Sequence, residues 1–228
     1  FMILVNGVAA ETIAATDRGL AYGDGVFRTL TVRGTRPRCW LRHYSKLEHD
    51  CAALAIPCPA ETQLREELER AARGQHECVV KIVVTRGGGP RGYAPPEAPA
   101  PTRIVMTNPM PRYPAEFASS GVKVHLCTTR LAFQTRLAGV KHLNRLENVL
   151  ARAEWRDTQT PEGLMLDAEG NAICGTMTNL FIVEKDARKL EVCCLIWSRS
   201  NRTRVVVAVR TIRRRSIEIV FTHTHESD

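Results

Sequence analysis

The alternation of β-branched apolar segments with helix-like segments in the first half of the chain constrains its fold most. Residues Gly25–Val32 and Val79–Thr85 have the apolar, β-branched composition that is typical of strands. Between them, Leu41–Ile56 and Glu61–Arg73 have helical spacing, and a proline-containing segment separates the two. This pattern predicts a mixed α/β protein.

Further strands are predicted along the whole chain, at Met2–Val5, Ile104–Thr107, Val122–Cys127, Gly163–Asp167 and Asn179–Val183. The Asn6-Gly7 pair predicts a hairpin turn after the first of them. A helix is predicted after Lys141, with an apolar stripe formed by Leu146, Val149, Leu150 and Ala153. Three prolines within residues 109–114 predict a linker. We therefore expect a small N-terminal domain over 1–112, a linker over 113–120 and a larger C-terminal domain over 121–228.

The charge distribution argues against a nucleic-acid-binding protein, although the net charge is +8. From Arg188 to the end there are nine Lys/Arg and four Asp/Glu, out of 32 and 24 in the chain. The remainder is nearly neutral, which suits an enzyme acting on small molecules. The sequence has no long uncharged apolar run and no signal-peptide pattern, so we expect no membrane span and a cytoplasmic location.

Eight cysteines are scattered through the chain without any CxxC pair. Without a secretion signal, a disulfide framework is not expected, and the spacing disfavours a structural zinc site. His223 and His225 could bind a metal, but a polar chain end is the simpler interpretation. We therefore expect free thiols in a reducing compartment and no bound metal.

The last part of the chain differs in composition from the rest. No glycine follows Gly175 and no proline follows Pro161, so the final 53 residues contain neither. Compact domains normally use these residues in their turns. The change predicts a truncated or frameshifted C-terminal domain that diverges after about residue 184.

Several motifs occur in an order that resembles the pyridoxal-phosphate enzymes of fold type IV. They are NG, DRGLAYGDGVF, HYSKLEHDCAAL, VTRGGGPRGY, LAGVKHLNRLENVLAR and GLMLDAEGNAICGTMTNLFIV. The first two and the last are shared with branched-chain and D-amino-acid aminotransferases. The segments RGGGPRGY and LAGVKHLNRLENVLAR resemble the aminodeoxychorismate lyase family more narrowly. The resemblance covers about residues 2–184.

This resemblance implies a homodimer with two α/β domains per subunit and pyridoxal 5′-phosphate bound between them. It implies conversion of 4-amino-4-deoxychorismate, a small-molecule substrate, to 4-aminobenzoate and pyruvate on the route to folate. Two alternatives stay open, namely an aminotransferase of the same fold and a catalytically impaired member of the family.

The resemblance places Lys141 at the position that forms the Schiff base with the cofactor. A deprotonated lysine amine can bond to the cofactor aldehyde, remove a proton from the substrate and return it to the leaving group. Taken alone, Lys141 would be interpreted as a solvated surface lysine. The same resemblance places Thr176, Met177 and Thr178 at the cofactor, although they could be ordinary strand residues. Arg91 and Tyr93 of the glycine-rich loop are candidates for binding the substrate carboxylates.

The sequence departs from the family pattern at three points. Lys46 stands where an arginine binds the cofactor phosphate, so the charge is kept and the bidentate fork is lost. Lys46 could instead be a surface charge beside Glu48. Cys174 stands where a glutamate pairs with the pyridine nitrogen, and a neutral thiol is a poor partner for a pyridinium. The phosphate-binding GxxGxTR loop is missing, and only Thr203 and Arg204 match its TR pair.

Overall fold

The computed structural model describes residues 1–117, 121–183, 206–208 and 218–222, and for 181–183, 206–208 and 218–222 only the backbone is described. These residues form two compact units. The first comprises Phe1–Pro111 together with Val140–Asn144, and the second comprises the described parts of Arg112–Gly139 and Arg145–Asp228. Residues 140–144 therefore pack with the first unit although they follow the proline-rich segment. The domain limits inferred from the sequence stay predictions.

The first unit contains a six-stranded sheet in which all neighbouring strands are antiparallel. Its order is β2-β1-β6-β5-β3-β4. The strands are β1 (Ile3–Val5), β2 (Val8–Ala9), β3 (Gly25–Arg33), β4 (Arg36–Pro37), β5 (Glu77–Thr85) and β6 (Arg103–Asn108). Asn6 and Gly7 turn β1 into β2 with φ of 50° and 80°, the left-handed values that this hairpin turn requires.

Three helices belong to the first unit: α1 (Arg18–Tyr22), α2 (Trp40–Ala53) and α3 (Glu61–Ala72). The longer two present to the core the residues that helical spacing predicts, with Leu47 and Cys51 from α2 and Leu64 and Leu68 from α3 buried. Alternate residues of β3 and β5 complete this core, among them Leu30, Val80 and Ile82. The opposite face of β3 and β5 lies away from this cluster.

The second unit contains another six-stranded sheet, in the order β11-β12-β10-β9-β8-β7. Its elements are β7 (Val124–Leu131), α4 (Leu146–Arg152), β8 (Glu162–Asp167), β9 (Ala172–Gly175), β10 (Asn179–Val183), β11 (Val206–Ala208) and β12 (Glu218–Thr222). β7 and β8 are parallel, whereas the other neighbours are antiparallel. The unit has a small apolar cluster formed by Cys127, Ala151, Trp155 and Met165.

The apolar stripe predicted on α4 does not face the core. Leu146, Val149 and Leu150 are 69%, 61% and 54% exposed, and Ala153 is exposed as well. The helix instead buries Ala151, which packs with Trp155 in the apolar cluster. Helical spacing shows which residues share a face, but it does not show which face packs on the sheet. In α4 the face that packs on the sheet is the one that carries the small side chain of Ala151.

Candidate active site

Lys141 lies on a short extended segment that pairs with the beginning of β3. Its carbonyl accepts the N–H of Phe27 at 2.9 Å, and the N–H of Leu143 donates to the carbonyl of Gly25 at 2.9 Å. The N–H of Lys141 donates to Asp50 Oδ2 of α2 at 3.1 Å. Because its N–H and C=O are both held, the direction in which the half-buried Lys141 side chain leaves the backbone is fixed.

Asp50 joins three cationic residues of the first unit. Its carboxylate is fully buried and forms an ion pair with Arg28 of β3, which is also buried. Arg28 donates in addition to the carbonyl of Lys46 at 3.1 Å. The Lys46 Nζ lies 3.9 Å from Asp50 Oδ1, and the Lys46 side chain is 27% exposed. Lys46 and Lys141, both expected from the sequence to bind the cofactor, therefore meet at one buried carboxylate.

Two lysine amines lie against the ring of Phe27. Lys141 Nζ is 5.0 Å and Lys81 Nζ is 4.9 Å from the ring centroid, within the range of cation–π attraction. Burial lowers the pKa of Lys81. Lys81 was not among the residues chosen from the sequence, although a lysine within the apolar strand β5 was a signal that could have indicated it.

The glycine-rich loop exposes both residues predicted to bind substrate. Arg91 is exposed and Tyr93 is 86% exposed. The backbone beneath them is nevertheless held, because the buried Arg18 guanidinium donates to the carbonyls of residues 92–94 at 3.0 to 3.3 Å. The ring of Tyr22 lies 5.3 Å from that of Tyr93. The loop therefore presents exposed side chains on a backbone that Arg18 holds.

Asp24 connects this loop to the rest of the first unit. It accepts hydrogen bonds from Arg18 at 2.8 Å and from Arg86 at 2.8 and 3.0 Å. Burial by itself would raise the pKa of Asp24, but the hydrogen bonds from Arg86 and Arg18 outweigh it and hold the pKa below its usual value. Arg86 also donates to the carbonyls of Leu54 and Ala55. The DRGLAYGDG motif therefore clamps the loop against the end of α2.

Glu162 organises the turn that carries Thr176, Met177 and Thr178 in the second unit. Its carboxylate is 5% exposed and accepts the N–H and the hydroxyl of Thr176, the N–H at 2.8 Å. It also accepts the Thr178 hydroxyl at 2.8 Å and, more weakly, the Met177 N–H at 3.4 Å. A Cβ at Gly175 would lie 2.1 Å from Thr178 Oγ1, so only glycine fits there. Sequence reasoning named the two threonines for the cofactor, which stays a prediction, and missed the carboxylate that holds them.

Cys174 lies on β9 opposite Met165 of β8. It is half-buried and packs against the apolar cluster of Cys127, Ala151, Trp155 and Met165. Met177, by contrast, is 65% exposed. Cys174 thus offers a thiol beside an apolar cluster at this position of β9.

Two further properties of the described residues concern metal binding and membrane spanning. Among them, no group of three or more His, Cys, Asp or Glu side chains is arranged to hold a metal ion. No helix in the same part of the chain has the length and hydropathy needed to cross a bilayer. His223, His225, Thr203 and Arg204 lie outside the described residues.

Residues 25–189 of this chain match the amino-transferase class IV family. Among curated proteins, an aminodeoxychorismate lyase from Vibrio harveyi is 32% identical over 185 residues, which are 81% of this chain and 68% of that protein. A putative branched-chain-amino-acid aminotransferase from Methanocaldococcus jannaschii is 29% identical over 78% of this chain and 62% of its own length.

The solved structures that resemble this chain also include a lyase and an aminotransferase. The 4-amino-4-deoxychorismate lyase of Pseudomonas aeruginosa superposes with a TM-score of 0.76 at 46% identity, covering 84% of this chain and 73% of that one. The branched-chain amino acid aminotransferase of Escherichia coli superposes with a TM-score of 0.70 at 21% identity, covering 80% and 65%. The second likeness concerns the fold alone, which is the fold type IV arrangement of sheets and helices. This chain spans about two thirds of the curated relatives it matches.

Proposed function

Because the chain belongs to the amino-transferase class IV family, we propose that it is a pyridoxal-phosphate-dependent lyase that converts 4-amino-4-deoxychorismate to 4-aminobenzoate and pyruvate. The observation that carries this proposal is the setting of Lys141, whose backbone is held at both its N–H and its C=O. The likeness to two lyases, at 32% and 46% identity, favours this reaction over transamination.

The cofactor, when bound, supplies an aldehyde for an amine and a ring that withdraws electrons from the carbon bearing the substrate amine. Lys141 supplies the amine, and its free form removes the proton from that carbon. The ether bond to the enolpyruvyl group then breaks, and Lys141 returns a proton to the departing enol, which becomes pyruvate. Atoms balance without added water, and formation of the aromatic ring drives the reaction forward.

Residues of this chain fit the cofactor phosphate better than the cofactor ring. Lys46 keeps a partly exposed ammonium near the Lys141 backbone, and a point charge of this kind binds phosphate. In the second unit, we assign Thr176, Met177 and Thr178 to the cofactor, on the turn that Glu162 holds. Cys174 does not fit the pyridine nitrogen, since it offers a thiol where the family pattern has a carboxylate. We therefore expect weaker electron withdrawal and slow turnover.

Arg91 and Tyr93 are assigned to the substrate carboxylates. Both side chains are exposed on a loop whose backbone Arg18 holds. An arginine fork matches a carboxylate in geometry and charge. We further propose a homodimer, as the family resemblance implies, in the cytoplasm and without nucleic-acid partners.

A cofactor titration tests the proposal first. Pyridoxal phosphate is added to the purified chain, the visible absorption band is followed, borohydride is added and the modified lysine is located by mass spectrometry. We expect the adduct on Lys141, its loss in Lys141→Ala, and its retention in Lys123→Ala, which removes an exposed lysine of the second unit. A folded chain that forms no adduct would instead be an inactive member of the family.

The second candidate function is transamination, which the likeness to a putative branched-chain aminotransferase favours. The two reactions differ in product. Pyruvate released from 4-amino-4-deoxychorismate, detected with lactate dehydrogenase, identifies the lyase. Exchange of amino groups between amino acids and keto acids, without pyruvate release from that substrate, identifies the aminotransferase.

A further inference from the structure

The buried pair of Arg28 and Asp50 has no place in the chemistry described above. Both residues lie in the core side of the first unit, with Asp50 fully buried and Arg28 5% exposed. Removing two charges from water carries a high cost, and an apolar pair of similar volume is often at least as stable. Apolar residues at these two positions could therefore stabilise the fold as well as the ion pair does. Stability alone does not explain the pair, which points to another role.

Asp50 is bound on one side to Arg28 and on the other to the backbone of Lys141. Asp50 Oδ2 accepts both the Arg28 guanidinium and the Lys141 N–H, the latter at 3.1 Å across 91 positions of sequence. Arg28 is itself held by the carbonyl of Lys46 at 3.1 Å. Since α2 carries Asp50 and β3 carries Arg28, the acceptor that faces Lys141 is fixed by two elements of the core.

We propose that Asp50 is a positioning residue for Lys141, which it holds through the backbone N–H so that the side-chain amine meets the cofactor aldehyde. The inference rests on the proposed function, because it assigns Lys141 the capture of the cofactor. In that step the Lys141 nitrogen forms a C=N bond to the aldehyde carbon and one water molecule leaves. Arg28 holds the Asp50 carboxylate in place through their buried ion pair. Asp50 does not touch the cofactor.

Two paired substitutions separate positioning from a structural role. Arg28→Leu/Asp50→Leu replaces the ion pair by apolar side chains and removes the acceptor for the Lys141 N–H. Arg28→Gln/Asp50→Asn removes the charges but keeps an amide oxygen as the acceptor. Each pair deletes one positive and one negative charge, so the net charge around Lys46 is unchanged. Neither leaves a buried charge uncompensated, and so both proteins are expected to fold.

Three readouts apply to the unmutated chain and both variants. The first is the rate at which the borohydride-stable adduct on Lys141 forms at saturating pyridoxal phosphate. The second is the affinity for 4′-deoxypyridoxine 5′-phosphate, which lacks the aldehyde and so reports binding without capture. The third is hydrogen exchange of the Lys141 amide in the chain without cofactor.

We expect Arg28→Leu/Asp50→Leu to capture the cofactor roughly tenfold to a hundredfold more slowly, because a displaced amine seldom reaches the aldehyde. Its affinity for the deoxy analogue stays similar, and its Lys141 amide exchanges faster. Arg28→Gln/Asp50→Asn restores the capture rate and the amide protection. Equal capture rates in the two variants would overturn the role of Asp50. If the unmutated chain forms no adduct on Lys141, the proposed function is refuted and the role of Asp50 with it.

Discussion

Replacing Glu162 by glutamine is expected to destabilise the second unit while preserving its shape. The carboxylate accepts four short hydrogen bonds, from the Gly163 N–H, the Thr176 N–H and hydroxyl, and the Thr178 hydroxyl. Three of them end on Oε1, which glutamine retains. The remaining position becomes an NH₂ group that can donate to the Thr178 hydroxyl but faces the Met177 N–H as donor against donor.

The expected loss follows from the charge on these bonds. A hydrogen bond to a charged group contributes about 1.5 to 3 kcal/mol and a neutral one about 0.5 to 1.5 kcal/mol. The four bonds share a single charge, so we expect a total loss of about 2 kcal/mol rather than the sum of four separate losses. For a protein of this size, that corresponds to a fall of about 4 to 8 °C in Tm. Glu162→Ala removes the acceptor of all four bonds, although the Thr176 N–H keeps the Gly163 carbonyl at 3.1 Å, and should cost about 4 kcal/mol.

Trp155 reports this change, because it is buried in the second unit and its Nε1 donates to the Thr160 carbonyl. In a background with Trp40 and Trp197 replaced by phenylalanine, its fluorescence follows the unfolding of that unit in urea. Glu169→Gln is the matched control, since Glu169 is an exposed carboxylate of the turn after β8 and should change the free energy of unfolding by less than about 0.5 kcal/mol. If Glu162→Gln behaves like this control, the hydrogen bonds described here do not hold the turn.

Two further predictions concern single residues of the second unit. Cys174→Glu should raise lyase turnover about tenfold, equal to about 1.4 kcal/mol of barrier, because a carboxylate keeps the pyridine nitrogen protonated. The pyruvate assay measures this turnover. An equal gain in Cys174→Gln would contradict the reasoning. Burial by itself would raise the pKa of Glu154, but hydrogen bonds from Thr128 and Thr129 hold it well below its ordinary value of 4.5. A lowered folded-state pKa stabilises the fold above pH 4.5 and the effect is lost as pH falls below it. The free energy of unfolding of the second unit, followed by Trp155 fluorescence, should therefore fall less below pH 4.5 in Glu154→Gln than in the unmutated chain. An equal fall in the two proteins would contradict a stabilising role for the Glu154 carboxylate.

The longer helices and strands of the first unit could be predicted from the sequence because their apolar patterns agree with their burial, whereas the short elements α1, β2 and β4 were not predicted. In α3, Leu64 and Leu68 are four residues apart and both are fully buried. The pattern failed at α4, where Leu146 and Leu150 have the same spacing and are exposed. The difference lies in the partner: α3 packs on a large apolar sheet face, whereas the cluster beneath α4 has room for Ala151. The spacing of apolar residues along a helix does not show how much space the cluster beneath that helix offers.

The candidate site could be predicted only in part, for a related reason. Lys141 belongs to a motif that local sequence displays. Asp50 and Glu162 do not, because a charged residue inside an apolar pattern is read as a surface residue. What identifies Asp50 is the distance of its carboxylate from the Lys141 N–H, across 91 positions of sequence. For Glu162, the signal is its partnership with Thr176, 14 positions away. Such contacts are properties of the fold.

The two buried carboxylates have different kinds of partner, and this determines which substitutions each position tolerates. Asp50 has the Arg28 cation beside it, so a change at Asp50 alone leaves a buried charge uncompensated. The hydrogen bonds described for Glu162 come from backbone N–H groups and hydroxyls, so a change there takes one shared acceptor from several neutral donors. Asp50 can therefore be replaced without unfolding only together with Arg28. No single described partner of Glu162 could be replaced to compensate for its loss, so the turn that carries Thr176 tolerates substitution less well than the Arg28–Asp50 pair.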